Sequence, residues 1–483
     1  MAKNETGSAL TTDATHFPEA AAAALKNPRL QTSLAHLKEG FQLRRAAAIA
    51  ASPLPFEELR EQGSAIRENA LAQLPELLTR FESKVQAAGG HVHWATDANA
   101  AREIITEILK SKNARTVTKG KSMATEEIEL NAHLAANGIT PVETDLGEYI
   151  IQLRHERPSH IVAPAFHLKR DDVETSFRGE HKWLPEDRVL DNRPMLVSEA
   201  RAVLRRRFES ADAGITGANF LIAETGSAVI VTNEGNGDLT RLLPRMHIVV
   251  AGIEKIVPRL ADVSVLLRLL TRSATGQDIT SYVSIMSGPK RASDADGPEE
   301  FHIVLLDNGR SAILNTPAAE VLKCIRCGAC LNHCPVYGTV GGHAYGATYP
   351  GPLGAALDPG LDGLQKTYHL PNASSFCGRC DSVCPVKIPL TRIMRHWRNL
   401  AFEKSIPPSG LSRGLKFWAA AARFPALYGF GAGIAARALR AFAGTSPRLK
   451  SAPVMRGWFA KRDLPKPAQR SFQSQWRTRK HRK

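Results

Sequence analysis

Two short stretches decide how this chain reads: Cys324-Ile325-Arg326-Cys327-Gly328-Ala329-Cys330-Leu331-Asn332-His333-Cys334-Pro335 and Cys377-Gly378-Arg379-Cys380-Asp381-Ser382-Val383-Cys384-Pro385. Together they hold all 7 cysteines of a 483-residue sequence. The first runs C-x2-C-x2-C-x3-C-P, the spacing of bacterial two-cluster ferredoxins, and the second is the same pattern without its first cysteine. Thiolates three residues apart wrap one loop around a cuboidal cluster, and the cysteine before proline is carried away to complete the other cluster. On that logic Cys324, Cys327, Cys330 and Cys384 hold a first cluster, and Cys334, Cys377 and Cys380 hold a second. The eighth-ligand position, three residues before Cys377, is Ser374. Either its hydroxyl, another group or water serves the remaining iron, or the second cluster is [3Fe-4S] where the first is [4Fe-4S].

Other cysteine chemistries fit less well. Disulfide frameworks belong to secreted chains, whereas this count is odd, the spacings are tight and no signal-peptide pattern is expected at the start. Structural zinc would use two C-x2-C pairs and leave three thiols idle.

The formal charge of +16 is unevenly spread. From Thr391 onward there are about 21 basic residues against Glu403 and Asp463, so the preceding body is close to neutral. Basic tails bind nucleic acid, acidic membranes or acidic partners. Here Trp397, Phe417, Trp418, Phe424, Tyr428, Phe430, Phe442, Trp458, Phe459 and Trp476 interleave with the cations. The uncharged run between Arg423 and Arg437 is shorter than the ~20 apolar residues a membrane span requires. That favours an interfacial helix or a docking surface for an acidic partner, with a solvated, partly disordered tail after Pro447 as the competing reading. No nucleic-acid motif is present, and the expected location is cytoplasmic, peripheral to the inner face of a membrane if the tail docks there.

Ahead of the cysteines the texture is α/β. Helical periodicity covers Phe17–Ala51 and Phe56–Gln86. Then come a strand at His91–Ala95, a helix Ala98–Lys110 capped by Asp97, a strand at Thr116–Thr118, an amphipathic helix Met123–Asn137 and a strand at Thr140–Glu143. Short apolar runs at Ile161–Ala163, Phe220–Ala223, Ala228–Val231, His247–Ala251 and Glu300–Leu306 complete an open α/β sheet, with Asn308-Gly309 read as a hairpin turn into Ser311–Leu314. The expected organisation is a helical or flexible extension (1–55), an α/β domain (56–315), a helical ferredoxin-type two-cluster domain (316–400) and a basic tail (401–483).

Outside the clusters the chemistry is sparse. Gly120-Lys121-Ser122 is not a phosphate loop, because Arg115 stands where a P-loop needs glycine. Lys119 and Lys121 still mark a candidate anion site at a strand-to-helix junction. Gly214–Gly217, Glu224–Ser227 and Asn233–Gly237 are turn-rich segments of the kind that gather at the carboxyl edge of an α/β sheet, where ligands bind. No Rossmann fingerprint, Gly-x-Ser-x-Gly or HExxH pattern occurs. His133, His160, His167 and His247 read as hydrogen-bonded structural residues.

Several segments resemble a known family. Lys121-Ser122-Met123, Glu143–Glu148, Pro158-Ser159-His160-Ile161, Thr216–Asn219, Glu224–Ser227 and Asn233–Asn236 resemble the LUD domain of lactate-utilisation proteins. The cysteine region, with Gly341-Gly342-His343-Ala344-Tyr345-Gly346 and Leu370-Pro371 before Ser374, is similar to the lactate utilization protein B family, and the match runs from about 60 to 390. The resemblance implies that Ser374 is a family trait. It also implies a LUD fold of the CoA-transferase/ribose-phosphate-isomerase α/β class, followed by the two-cluster domain. By the same resemblance the chain would be a non-catalytic or co-catalytic electron-transfer subunit of an L-lactate-oxidising complex. Its partners would be a CCG-type cysteine-rich subunit and a smaller LUD-domain subunit. The alternatives are a metabolite-binding LUD module with redox-sensing clusters, or an electron-transfer subunit for a different 2-hydroxy acid.

Overall fold

Alternation of apolar residues builds the centre of the molecule. The computed structural model describes residues 14–407, 409–451, 459 and 462–480. In it the first unit, Met1–Ala401, carries β1 (His91–Ala95), β2 (Thr116–Gly120), β3 (Thr140–Glu143), β4 (Ala213–Gly217) and β5 (Phe220–Ile222). It continues with β6 (Ser227–Thr232), β7 (Met246–Gly252), β8 (Ile256–Val257), β9 (Tyr282–Met286) and β10 (Glu300–Leu306). Six strands form a parallel sheet in the order β1-β10-β7-β4-β2-β3, and a smaller mixed sheet runs β8-β5-β6-β9.

Successive side chains of a strand face opposite sides, and a parallel sheet is buried on both. Val249 and Ala251 of β7, with Phe301, Ile303 and Leu305 of β10, pack against Leu77, Phe81 and Val85 of the helix Leu74–Ala87. Ile248, Val250, Val304 and Leu306 pack on the other side against Ile105 and Leu109 of the helix Ala98–Ser111. That helix starts where Asp97 accepts a hydrogen bond from the Ala100 N–H at 3.0 Å, the expected N-cap.

Connections run from β2 to β3 on one side and from β4 toward β7 on the other, so the strand order reverses at the β2–β4 pair. Such a switch point opens a crevice beyond the carboxyl ends of the strands.

Four local expectations are corrected. The segment after Asn308-Gly309 is a helix, Arg310–Leu314, and not a hairpin strand. β10 already has β1 and β7 as neighbours, leaving no open edge, and Asp307 accepts from the Ser311 N–H at 2.7 Å to start a helical turn. Met123–Asn137 is two helices, Met123–Glu127 and Leu130–Ala136, broken by Glu129 at φ 52°. The break lets Glu127 turn into the buried Arg310 guanidinium while Ile128, Leu130 and Leu134 stay on the sheet. Ile161–Ala163 is a loop, because the His160 Nδ1 accepts from the N–H groups of Val162 and Ala163 and removes them from any ladder. Gly214–Gly217 is part of β4 in the middle of the sheet, where a Cβ at Gly214 would collide with the Thr240 carbonyl.

The chain before the sheet is helical: Phe17–Lys26, Pro28–Leu37, Arg44–Ala50 and Phe56–Ala72. The first two pack against the segment that follows Cys334.

The second unit, Phe402–Lys483, contains the helices Ser409–Ala422 and Pro425–Ala443, the antiparallel pair β11 (Arg448–Leu449) and β12 (Leu464–Pro465), and the helix Phe472–Lys480. Phe417, Trp418, Phe424, Tyr428, Phe430, Phe442 and Trp476 are exposed on it, whereas Trp458 lies outside the described residues. Among the described residues no helix is long and apolar enough to cross a membrane.

Candidate functional site

Cys324, Cys327, Cys330 and Cys384 line one cavity, closed on its other sides by Ile325, Leu353, Val386, Ile388 and Leu390. Burial pushes the Cys327, Cys330 and Cys384 thiols up, Cys384 to about 11, and all three feel Cys324. Four sulfurs converging in an apolar cavity need a cation to ionise together, which is the donor set an iron–sulfur cluster takes. Burial pushes the Cys334 and Cys380 thiols up as well, and each is raised further by another cysteine of the two motifs.

The two loops share one conformation. In the first, Arg326 at φ 60° and Gly328 at φ 73° turn the chain, and the Arg326 N–H donates to Cys324 Sγ at 3.3 Å. In the second, Phe376 at φ 54° and Gly378 at φ 75° make the same turn, and the Phe376 N–H donates to Ser374 Oγ at 3.2 Å. Ser374 thus stands in its loop as Cys324 stands in the first. Backbone N–H groups also reach Cys334 from Tyr337 at 3.5 Å and Cys384 from Ile388 at 3.3 Å. N–H donors of this kind satisfy sulfurs and tune cluster potentials.

Arginines from the N-terminal helices bind the cysteine loops by their carbonyls. Arg60 donates to the Cys384 carbonyl at 3.0 and 2.8 Å, and Arg45 to that of Val383 at 3.0 Å. Arg67 is fully buried and donates to the carbonyls of Lys323, Leu322, Ile256 and Glu254. It therefore joins the 3-10 turn Ala319–Lys323, just before Cys324, to β8 and the segment leading into it. Beside it, Arg310 forms a two-point pair with Glu127 at 2.8 Å and reaches Glu254 at 2.6 Å. Arg326 donates to the other Glu254 oxygen at 3.3 Å, and its guanidinium lies 4.3 Å over the Tyr349 ring. Burial opposes ionisation of Glu254, but Arg310 and Arg326 hold it at about 2.

A second cavity lies at the carboxyl edge of the six-stranded sheet, at the switch point. Lys121 follows β2, Gly217 ends β4 and Asn219 follows it, Lys255 follows β7, and Arg326 and Tyr349 close it from the cysteine side. Of the turn-rich segments, those ending at Gly217 and beginning at Asn233 reach this cavity, while Glu224–Ser227 makes the β5–β6 turn. The anion site expected at Lys119 is corrected. Lys119 is buried between Glu126 at 2.8 Å and Glu143 at 2.7 Å, which outweigh its desolvation and raise its pKa. Lys121 does face the cavity but pairs with Asp145 at 2.9 Å. Burial, then repulsion by Arg326, pulls the Lys255 amine down to about 7.

The four singled-out histidines all have structural partners: His133 near Asn137, His160 with Asn332 at 2.9 Å, His167 with Glu156 at 2.7 Å, and His247 with Thr216 at 2.9 Å. His343 donates to the Arg157 carbonyl at 2.7 Å and Tyr337 to that of Ser159 at 2.6 Å, so the glycine-rich segment after the first motif packs on Pro158–Ile161. Arg326, Arg67, Lys255 and Glu254 were not singled out from the sequence. Arg326 alone carried a signal, as the one charged residue inside the first three-cysteine run.

Comparison with known proteins agrees with this geometry. A LUD domain model matches residues 78–306, and a 4Fe-4S dicluster domain model matches residues 320–388. The chain is similar to Lactate utilization protein B of Bacillus velezensis, 40% identical over 97% of this chain and 98% of that protein. It is also similar to Lactate utilization protein B of Bacillus subtilis (strain 168), 42% identical over 94% and 95%. Among solved structures, a DUF162 family protein from Deinococcus radiodurans matches at 15% identity, covering 48% of this chain and 98% of that one, with a TM-score of 0.26.

Proposed function

The chain belongs to the lactate utilization protein B family, and from that premise we propose that it is the electron-transfer subunit of a complex that oxidises L-lactate to pyruvate. The observation that carries the reading is the convergence of Cys384 with the three thiols of the first loop on one cavity, which supports a crossed assignment with Cys334 in the second set. In it Cys324, Cys327, Cys330 and Cys384 hold the first cluster, and Cys334, Cys377 and Cys380 hold the second with Ser374 at the eighth-ligand position. When bound, two clusters supply adjacent one-electron carriers, which suits the two-electron oxidation of a 2-hydroxy acid. The chain's part is to position them. Proline after Cys334 and Cys384 ends each motif, Arg60 and Arg45 bind the loop carbonyls, and backbone N–H groups face the sulfurs.

The family premise supports a CCG-type cysteine-rich subunit and a smaller LUD-domain subunit as partners. The exposed aromatics and cations of the tail helices support docking at an acidic membrane surface.

Deletion of the gene in a host with no other lactate oxidase tests the reading. Growth on L-lactate is lost, is restored by the wild-type chain and is not restored by Cys324→Ser. Undiminished growth of the deletion strain overturns it.

A further inference from the structure

The cavity at the switch point carries charge that the cluster assignment does not use. Its volume is about 180 Å³, below the roughly 300–1,000 Å³ of pockets that enclose drug-sized ligands. A ligand of about six heavy atoms suits such a space; an enclosed nucleotide or coenzyme A does not.

The charge around its inner wall is unbalanced. Lys255 and Arg326 line it against Glu254 alone, and that carboxylate is already taken by Arg310 and Arg326. Lys255 lines the cavity and, among the described residues, has no carboxylate within 4.0 Å. Arg326 keeps 11% of its side chain exposed, while its Nη1 is shut away from open space and has no partner among the described residues. A half-buried amine with no carboxylate beside it is held charged by an anion that joins it. The opposite wall is different: Asp145 is paired with Lys121, and Glu148 is buried with its carboxyl pushed well up by that burial and by Glu143 and Asp145. A protonated carboxyl there can donate to a hydroxyl or keto oxygen.

We propose that this cavity binds a small carboxylate of the 2-hydroxy or 2-oxo acid class, its carboxylate taken by Lys255 and Arg326 directly against the first cysteine loop. The choice of acid rests on the electron-transfer reading; the need for an anion rests on the cavity itself. Arg326 joins the two sites, because its backbone N–H donates to Cys324 Sγ while the residue lines the cavity. An acid seated there lies beside the first cysteine loop. The competing explanation gives the same cations one task, offsetting the negative thiolates, and predicts no ligand.

Equilibrium dialysis of the full-length, anaerobically iron-loaded chain against radiolabelled pyruvate and L-lactate separates the two. Saturable binding at one site is expected, and Lys255→Gln weakens it by about tenfold or more, the loss of one charge-assisted hydrogen bond. Iron content and EPR spectra of the variant stay those of the wild type, which separates a lost ligand from a damaged fold. Absence of saturable binding below about 10 mM, weaker than any useful site, overturns the proposal. So does wild-type affinity in Lys255→Gln, or equal competition by sulfate. Because iron and EPR are read on the same samples, intact clusters without binding overturn the carboxylate site and leave the electron-transfer reading standing.

Discussion

At the scale of single residues, Ser374 and Cys324 stand in equivalent turns, each accepting a hydrogen bond from the N–H two residues later. Ser374→Cys is therefore expected to load fully with iron and to give a second cluster that resists oxidative iron loss. A variant that binds less iron than the wild type would contradict the equivalence. Arg67 is the other decisive position. Its guanidinium is buried among four carbonyls, and removing it strands them away from water. Arg67→Met should cost about 3–5 kcal/mol of stability, read as a lower denaturant midpoint by circular dichroism. An unchanged midpoint would show that the link between the sheet and the first loop is dispensable. The expected cysteine ligand sets rest on spacing, because a cluster imposes its geometry on a few consecutive residues. Arg67 was illegible for the opposite reason: its partners lie about 190 to 260 positions away and are backbone carbonyls, which no side-chain pattern announces.

At the scale of elements, the strands with strong apolar runs were legible, and Glu300–Leu306 matches β10 end to end. Failures cluster where tertiary contacts override local preference. Asn308-Gly309 does turn the chain through left-handed backbone, but β10 is already flanked by β1 and β7 and has no free side to pair with a hairpin partner. The glycines of β4 read as a turn, yet they allow the close approach of Thr240 to a central strand. Tyr282–Met286 was missed because Ser284 interrupts its short apolar run. In the second unit, Phe417 and Phe430 are 78% and 68% exposed beside Lys416 and Arg423. Large aromatics left in water next to cations favour an acidic interface. Full-length chain should sediment with vesicles containing acidic lipid and release as salt rises, since charges are screened over about 10 Å at 0.1 M. A chain ending at Lys404 should stay in the supernatant; equal sedimentation of both would refute the docking role.

For the molecule as a whole, a near-neutral body and a basic tail divide the work suggested by the charge count. Within the body, the sheet and the cysteine loops belong to one unit and share the buried Glu127–Arg310–Glu254–Arg326 network. Stability should also depend on pH through its buried histidines. Burial lowers His160 to about 4 and, with Arg241 and His302, lowers His247 to about 3. The unfolded chain titrates near 6.5 and so binds more protons below that pH. Stability is full above about 6.5 and falls toward the folded values by roughly 1.4 kcal/mol per pH unit for each histidine. Denaturant midpoints at pH 7.5 and 5.5 check this, with the lower midpoint expected at 5.5.

The central claim is that these seven thiols hold two clusters that carry electrons. Anaerobic reconstitution, iron and zinc analysis, and EPR of the reduced protein test it in one preparation. The account predicts about seven to eight irons per chain and signals from two reducible clusters. Bound zinc without iron, or iron in a single cluster only, would contradict it.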